Sequence, residues 1–272
     1  MTTLITPVQG VEVYLKSPEE LALMREAGRI VALAHQAMKA AIRPGISTAE
    51  LDKIAETVIR DHGAKPAFLG QVKPNTPPFP ATITASINEE LVHGIPSPKR
   101  ILKEGDIASL DTGCFYKGFV GDSAWTYAVG EVSATVLRLL DVTEKSLYAG
   151  IAASVIGNDL RMVGRSIQQY VEKHGYSVAR EYTGHGVGQA MWEDPQIPNW
   201  WPNKPRGPHR FDNMALVANM TYAIEPMVIA GRPDLKELDD KWTVVTKDKS
   251  LCAHFEHTIA ITPDGPEIMT KL

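Results

Sequence analysis

The sequence predicts an α+β fold: a curved antiparallel sheet with helices packed on its outer face and an internal pseudo-two-fold. Three observations predict it. Capped amphipathic helices come in two pairs, over 17–63 and about 134–175. The second pair repeats the first at a shift of 112 positions. Gly45, Ser47, Leu51, Ala55, Val58, Ile59, His62 and Gly63 answer to Gly157, Asp159, Val163, Ile167, Tyr170, Val171, His174 and Gly175. Strand-like runs joined by short turns fill the intervals, which favours antiparallel pairing under a helical layer.

Taken in order, residues 1–16 read as a short extended arm, and 17–272 as a single domain of two similar halves, about 17–130 and 131–272. The first helix opens at Ser17, with Pro18 in its first turn and Glu20 completing a capping box. Met24, Ala27, Val31, Ala34 and Met38 form its buried stripe, and Arg43-Pro44-Gly45 ends it. The second opens at Ser47 with Glu50 as its partner and closes at Gly63. Strands are expected at 82–92, 106–115, 118–129, 177–187, 221–229, 242–247 and 252–262. Residues 194–213 hold five prolines with Trp200 and Trp201, which predicts a long irregular loop. Loops of that length are often functional, so it is expected to border a cleft with Trp200 or Trp201 near the entrance.

The 272 residues are 44% hydrophobic, enough for one large domain or two fused halves. A net charge of -4 leaves no basic field for nucleic acid, and no apolar run is long enough to span a membrane. The start lacks a secretory pattern, and Cys114 and Cys252 make no disulfide framework, so a cytoplasmic location is expected.

Chemistry is concentrated in the stretch Ser109 to Asp122. It reads as a hairpin with a turn near Tyr116-Lys117-Gly118. A two-residue loop at Tyr116-Lys117 sets Asp111 opposite Asp122, and a bulge at Gly118 sets them one place apart. Carboxylates that close repel each other unless a proton or cation lies between them. His185, Glu225 and Glu256 also stand where strand patterning predicts burial. Four carboxylates and one imidazole match the charge of two divalent cations, and such a donor set suits Mn, Fe, Co or Zn. Asp111-Thr112-Gly113 has the look of an aspartic-protease triplet, but that chemistry needs two triplets and the chain has one.

These segments, with Ser86-Ile87-Asn88-Glu89, His93-Gly94-Ile95-Pro96, Glu181 to Gly188, Tyr222 to Met227 and Glu256-His257-Thr258, resemble a methionine aminopeptidase of the short, bacterial-like type I. The resemblance runs from about Ser17 to Leu272. It implies the pita-bread fold and removal of N-terminal methionine from peptides and nascent chains by a metal-bridged hydroxide. It implies that Asp122 and Glu256 bridge two divalent metals, Asp111 holds one, and His185 and Glu225 hold the other. Glu225 also shuttles the proton, and His93 hydrogen-bonds near the scissile amide. The methionine pocket falls on Phe68, Gln71, Phe79, Thr84, Met191 and Trp242, with Phe68 and Gln71 departing from the usual types. The carbonyls of Asn88, Glu90 and Cys252 resemble a monovalent-cation site. A monomer with a ribosome contact is expected.

One departure is chemical. Where the family carries a second catalytic histidine, seven residues after His185, this chain has Trp192. An indole offers one neutral donor and no acceptor. The alternative reading is therefore a catalytically weakened or non-catalytic peptide-binding paralogue. A relative acting on Xaa-Pro bonds is disfavoured, because such proteins usually carry an extra N-terminal domain and sixteen leading residues cannot supply one.

Overall fold

The computed structural model describes residues 3–5, 11–202 and 213–272. The first half contains β1 (Thr3–Ile5), β2 (Val13–Leu15), α1 (Pro18–Ala41), α2 (Thr48–Asp61), β3 (Lys65–Pro66), β4 (Ile83–Ile87), β5 (Glu90–Val92), β6 (Ile107–Tyr116) and β7 (Phe119–Ala128). The second contains α3 (Ala134–Ala153), α4 (Leu160–Lys173), β8 (Ser177–Val178), β9 (Gly184–Gly186), β10 (Glu193–Ile197), β11 (Thr221–Ile224) and β12 (Met227–Ile229). It ends with β13 (Leu235–Glu237), β14 (Val244–Thr246), β15 (Cys252–His254), β16 (His257–Thr262) and β17 (Gly265–Ile268).

The helix starts follow from their caps. Ser17 and Ser47 each accept from the backbone N–H of the third helical residue, and Glu20 and Glu50 reach back to the cap N–H. Asp159 caps α4, 112 positions after Ser47, and Gly45 and Gly157 turn the preceding chain at φ 93 and 95°. Ser47 bridges Ile101, and Asp159 bridges Ala215, so α2 and α4 are each entered through an isolated strand contact.

All strand pairings among the described residues are antiparallel. One set runs β3-β6-β4 with β7 on β6, and another runs β10-β9-β11-β16-β17. Helices α1 and α2 bury Ile30, Val31, Met38, Leu51 and Ile59 against Ile83 and Leu110. Helices α3 and α4 bury Leu139, Leu147, Val163 and Ile167 against Tyr222, Ile224 and Ile259. Helix α1 lies so close to β7 that a Cβ at Gly121 would come within 2.6 Å of the Gly28 backbone nitrogen.

The two groups of strands meet along a polar seam. Asp122 N–H donates to Thr258 Oγ1, which donates back to the Asp122 carbonyl, at 3.0 and 2.8 Å. Ser123 Oγ donates to the Glu256 carbonyl at 2.7 Å, and Glu256 N–H donates to the Ala124 carbonyl at 2.8 Å. Hydroxyls thus supply the partners that a continuous ladder would otherwise provide.

Several expectations change. The runs 82–92, 177–187, 221–229 and 252–262 are each broken into two strands. Asn88, at φ 58°, turns the first, and Pro226 interrupts the third. The expected loop at 194–213 begins as a strand, β10, with a cis Asp194-Pro195 bond. Proline is accommodated because β10 is an edge strand whose register shifts between Glu193 and Gln196. Residues 203–212 of that loop, and part of the expected arm, lie outside the described residues.

Candidate metal centre

The β6–β7 hairpin places the first two carboxylates. Its turn is Lys117-Gly118, both at positive φ (48 and 88°), the pair of left-handed residues a two-residue hairpin loop requires. Tyr116 therefore pairs with Phe119, Asp111 with Ala124, and Asp122 with Gly113. The expected loop at Tyr116-Lys117, with Asp111 directly opposite Asp122, is corrected to a diagonal relation. So is the bulged alternative. Both aspartates still share a face because their offset is even, whereas a one-residue slip would have sent them to opposite faces. Gly113 gives Asp122 its room: a Cβ there would stand 3.0 Å from Asp122 Oδ1.

The β11–β16 and β12–β15 ladders keep one register, pairing Thr221 with Ala260 and Met227 with His254. Carried through the break, it sets Glu225 across from Glu256. The break frees Glu225 and Glu256 from regular strand, and their backbones are held from outside the ladder. Asn199 Nδ2 donates to the Glu225 carbonyl at 2.9 Å, and Glu256 is locked to β7 as above. On β9, His185 pairs with Ala223. Its Nδ1 donates to the Gly186 carbonyl at 2.9 Å, which leaves the Nε2 lone pair pointing inward. Nε2 lies 3.7 Å from Asp122 Oδ2 and 3.6 Å from Glu225 Oε1.

Donor atoms of Asp122, His185 and Glu256 lie within 4.8 Å of one another, as do those of Glu225, His254 and Glu256. Asp111 adds a carboxylate whose Oδ1 is buried beside them. Among the described residues, Asp111 Oδ1, Asp122 Oδ1, Glu256 Oε1 and His254 Nε2 are buried without a hydrogen-bond partner. Burial first, and mutual repulsion second, hold Asp111, Glu225 and Glu256 well above the ordinary carboxylate range. Burial pushes Asp122 up to about 7. The same burial pushes His185 down to about 4 and His254 to about 3, so both imidazoles are neutral donors. Buried, unpaired oxygen and nitrogen atoms converging from four strands and two strand breaks fit divalent cations, which would satisfy both the charge and the lone pairs.

These groups form the floor of a cavity of about 430 Å³. Its walls include Phe68, Gln71, Phe79, Thr84, His93, Met191, Trp192 and Trp242, so the divalent-metal ligands, His93, Trp192 and the pocket residues expected from the sequence face one space. Trp242 is held by an indole N–H to the Pro77 carbonyl at 3.0 Å and packs edge-on to Phe79, centroids 5.1 Å apart. Gln71 donates its amide to the Ala67 carbonyl at 2.9 Å. Thr84 pairs with Asp111 across β4 and β6. His93 sits at φ 61°, its ring edge-on to Tyr182 and Trp242 at 5.8 and 6.3 Å. Burial first, then nearby Lys73, pushes its pKa down to about 4.

Trp192 is 54% exposed, with its ring 6.3 Å from that of His185. Trp200 and Trp201 do not line the cavity, contrary to expectation. Trp200 is buried in the α3–α4 core and donates to the Arg180 carbonyl, and Trp201 packs at that core's edge. Among the described residues of that segment, Asp194 and Gln196 line the cavity. Sequence reasoning missed His254 and Tyr182. The signal for His254 was its place two residues before Glu256, the spacing at which strand patterning expects a shared face. At the expected monovalent-cation site, the Asn88 carbonyl already accepts the Cys252 N–H at 3.1 Å and its thiol at 3.3 Å.

The model of metallopeptidase family M24 matches residues 22–263. A relative in Bacillus subtilis named methionine aminopeptidase 1 is 52% identical over 260 residues, 96% of this chain and 100% of its own. The crystal structure of a methionine aminopeptidase from Thermotoga maritima superposes with a TM-score of 0.89 at 40% identity, covering 96% of this chain and 100% of that one. A prolidase from Pyrococcus furiosus reaches a TM-score of 0.74 at 20% identity, covering 95% of this chain and 65% of that one, a likeness of fold alone.

Proposed function

Because this chain belongs to metallopeptidase family M24, we infer that it is a metal-dependent aminopeptidase that removes N-terminal methionine from peptides. The observation that carries this reading is the cavity itself. One end gathers four carboxylates, with Asp122 and Glu256 buried, beside neutral imidazoles, and the other is an apolar slot of Phe68, Phe79, Met191 and Trp242. A thioether side chain suits the slot, and an α-ammonium suits the acidic end.

In this proposal Asp122 and Glu256 would bridge two divalent ions (Co, Mn, Fe or Zn), Asp111 would hold one, and His185 and Glu225 the other. Bound there, the cations would acidify a water by several pK units and polarise the scissile carbonyl. Glu225 would take a proton from the attacking water and deliver it to the leaving amine. His93, kept neutral, would steady the scissile amide by hydrogen bonding, while Trp242 and Tyr182 fix its ring. Gln71 and Thr84 would complete the pocket wall. Trp192 would stand at the cavity mouth.

A monovalent cation at Asn88, Glu90 and Cys252 remains part of the proposal and would require the Cys252 thiol to turn away. The same reading takes the enzyme as a cytoplasmic monomer acting on nascent chains near the ribosome. Its support is the substrate, since initiator methionine is the first residue a new chain presents. No helix among the described residues is long and apolar enough to cross a membrane. The weakened-paralogue alternative rests on Trp192 and the Pro/Trp-rich segment 194–213, and the retained donor set opposes it.

The test is release of methionine from Met-Ala-Ser by protein stripped with EDTA and reloaded with Co(II) or Mn(II). Turnover that returns with metal and is abolished in Asp122→Ala and Glu225→Ala supports the reading; no metal-dependent release from any short N-terminal Met peptide overturns it.

A further inference from the structure

We propose that His254 is a metal ligand of this centre, so that the chain holds its ions with four carboxylates and two imidazoles rather than one. The proposal rests on the dinuclear reading above and adds a donor to it. His254 is 2% exposed at the end of β15, two residues before Glu256, and the two side chains bring donor atoms within 4.8 Å of each other. Its Nε2 is buried and has no hydrogen-bond partner among the described residues.

The position of that nitrogen is specific. It lies 3.5 Å from Glu225 Oε2 and 4.0 Å from Glu256 Oε2. These separations exceed a good hydrogen bond, at roughly 2.7–3.2 Å. They approach the spacing of two donors on one ion, about 3–3.5 Å when each bond is ~2.1 Å. His185 stands in the same relation to Glu225 and Asp122, at 3.6 and 3.7 Å. The Glu225 carboxylate is therefore flanked by an imidazole nitrogen on each oxygen.

The other buried histidines behave differently. His35 uses both ring nitrogens, on the Ser123 carbonyl at 2.8 Å and the Tyr127 hydroxyl at 3.1 Å. His257 uses Nδ1 on Thr270 Oγ1 at 2.7 Å. A packing histidine in this molecule thus finds a partner for its ring, whereas the inward nitrogen of His254 finds none. The backbone of His254 needs no help from the ring. Its N–H donates to Thr126 Oγ1, which donates to its carbonyl, both at 2.8 Å. That fixed backbone aims the imidazole into the centre.

A second neutral imidazole makes the site softer. It favours Co, Fe and Zn over Mn and works against Mg, which prefers oxygen.

The experiment uses the full chain, stripped of metal and titrated with Co(II) and Mn(II) by calorimetry, with zinc-edge X-ray absorption on the zinc-loaded form. His254→Gln is expected to lose half of the imidazole scattering. It is also expected to weaken Co(II) binding by roughly tenfold or more. Mn(II) binding should weaken less. Unchanged scattering and affinity in His254→Gln, beside a His185→Gln control that loses both, overturns the proposal and leaves the dinuclear reading standing. A wild-type protein that binds neither ion overturns both. Nitrogen NMR of the wild type keeps the test independent of whether the variant folds. Zinc is expected to shift the Nε2 resonances of both His185 and His254, and a shift of His185 alone contradicts the assignment.

Discussion

Trp192 stands at the mouth of the cavity, 54% exposed and edge-on to His185. Its indole N–H can donate one neutral hydrogen bond and accept none. An imidazole there could donate to a developing oxyanion, a contribution worth on the order of 10²–10³ where it is well placed. Trp192→His is therefore expected to raise kcat for Met-peptide release by at least about tenfold, with metal content unchanged. A fall in kcat would show that the site depends on the indole. Glu225→Gln keeps the shape of the side chain while removing a basic oxygen. Steady-state kinetics on the metal-loaded variant should show kcat reduced by roughly 10²–10⁴. A reduction confined to KM would contradict the proton-carrying role.

At the scale of elements, α1 on β7 is the contact that sets the hairpin in place. A Cβ at Gly121 would enter the backbone of Ala27 and Gly28, which cannot yield as a flexible side chain would. Gly121→Ala should cost about 1–3 kcal/mol in urea unfolding. A neutral result would mean that the helix can lift from the strand. His35 belongs to the same contact, packed with Ser123 and Tyr127 and close to His257. Burial pushes His35 down to about 4, so the folded state binds fewer protons than the unfolded chain between there and about 6.5. Its contribution is complete above about 6.5 and is lost as pH falls towards 4, a span worth up to about 3 kcal/mol. Unfolding measured at pH 7.5 and 5 should show a shallower loss of stability in His35→Gln than in the wild type.

Much of this level is legible in sequence because capping is local. Ser17 with Glu20 and Ser47 with Glu50 announce their helices without tertiary information. The hairpin register is not, because Tyr116-Lys117-Gly118 holds two candidate pairs and only backbone dihedrals choose Lys117-Gly118. Edge position, which makes Pro195 acceptable in β10, is equally invisible along the chain. The acids stood out by polarity against an apolar pattern. His254 did not, because a strand histidine has a common structural use and its missing partner becomes visible only in three dimensions.

Across the whole molecule, the seam between β7 and the 254–258 segment is where both groups of strands deliver their carboxylates. We propose that residues 17–272 act as one catalytic domain in two halves, about 17–130 and 131–272, with the ions tying the halves together. Metal binding to the native state alone adds about 2.7 kcal/mol at a hundredfold excess over Kd. EDTA should therefore lower Tm by roughly 5 °C or more, and Co(II) or Mn(II) should restore it. An unchanged Tm would separate the seam from the metal. The most direct measurement is anomalous diffraction from crystals grown with Mn(II) or Co(II). Two peaks are expected, roughly 3.5–4 Å apart, among the carboxylates of Asp111, Asp122, Glu225 and Glu256. A map without peaks there, in crystals that carry the metal elsewhere, would contradict the dinuclear reading.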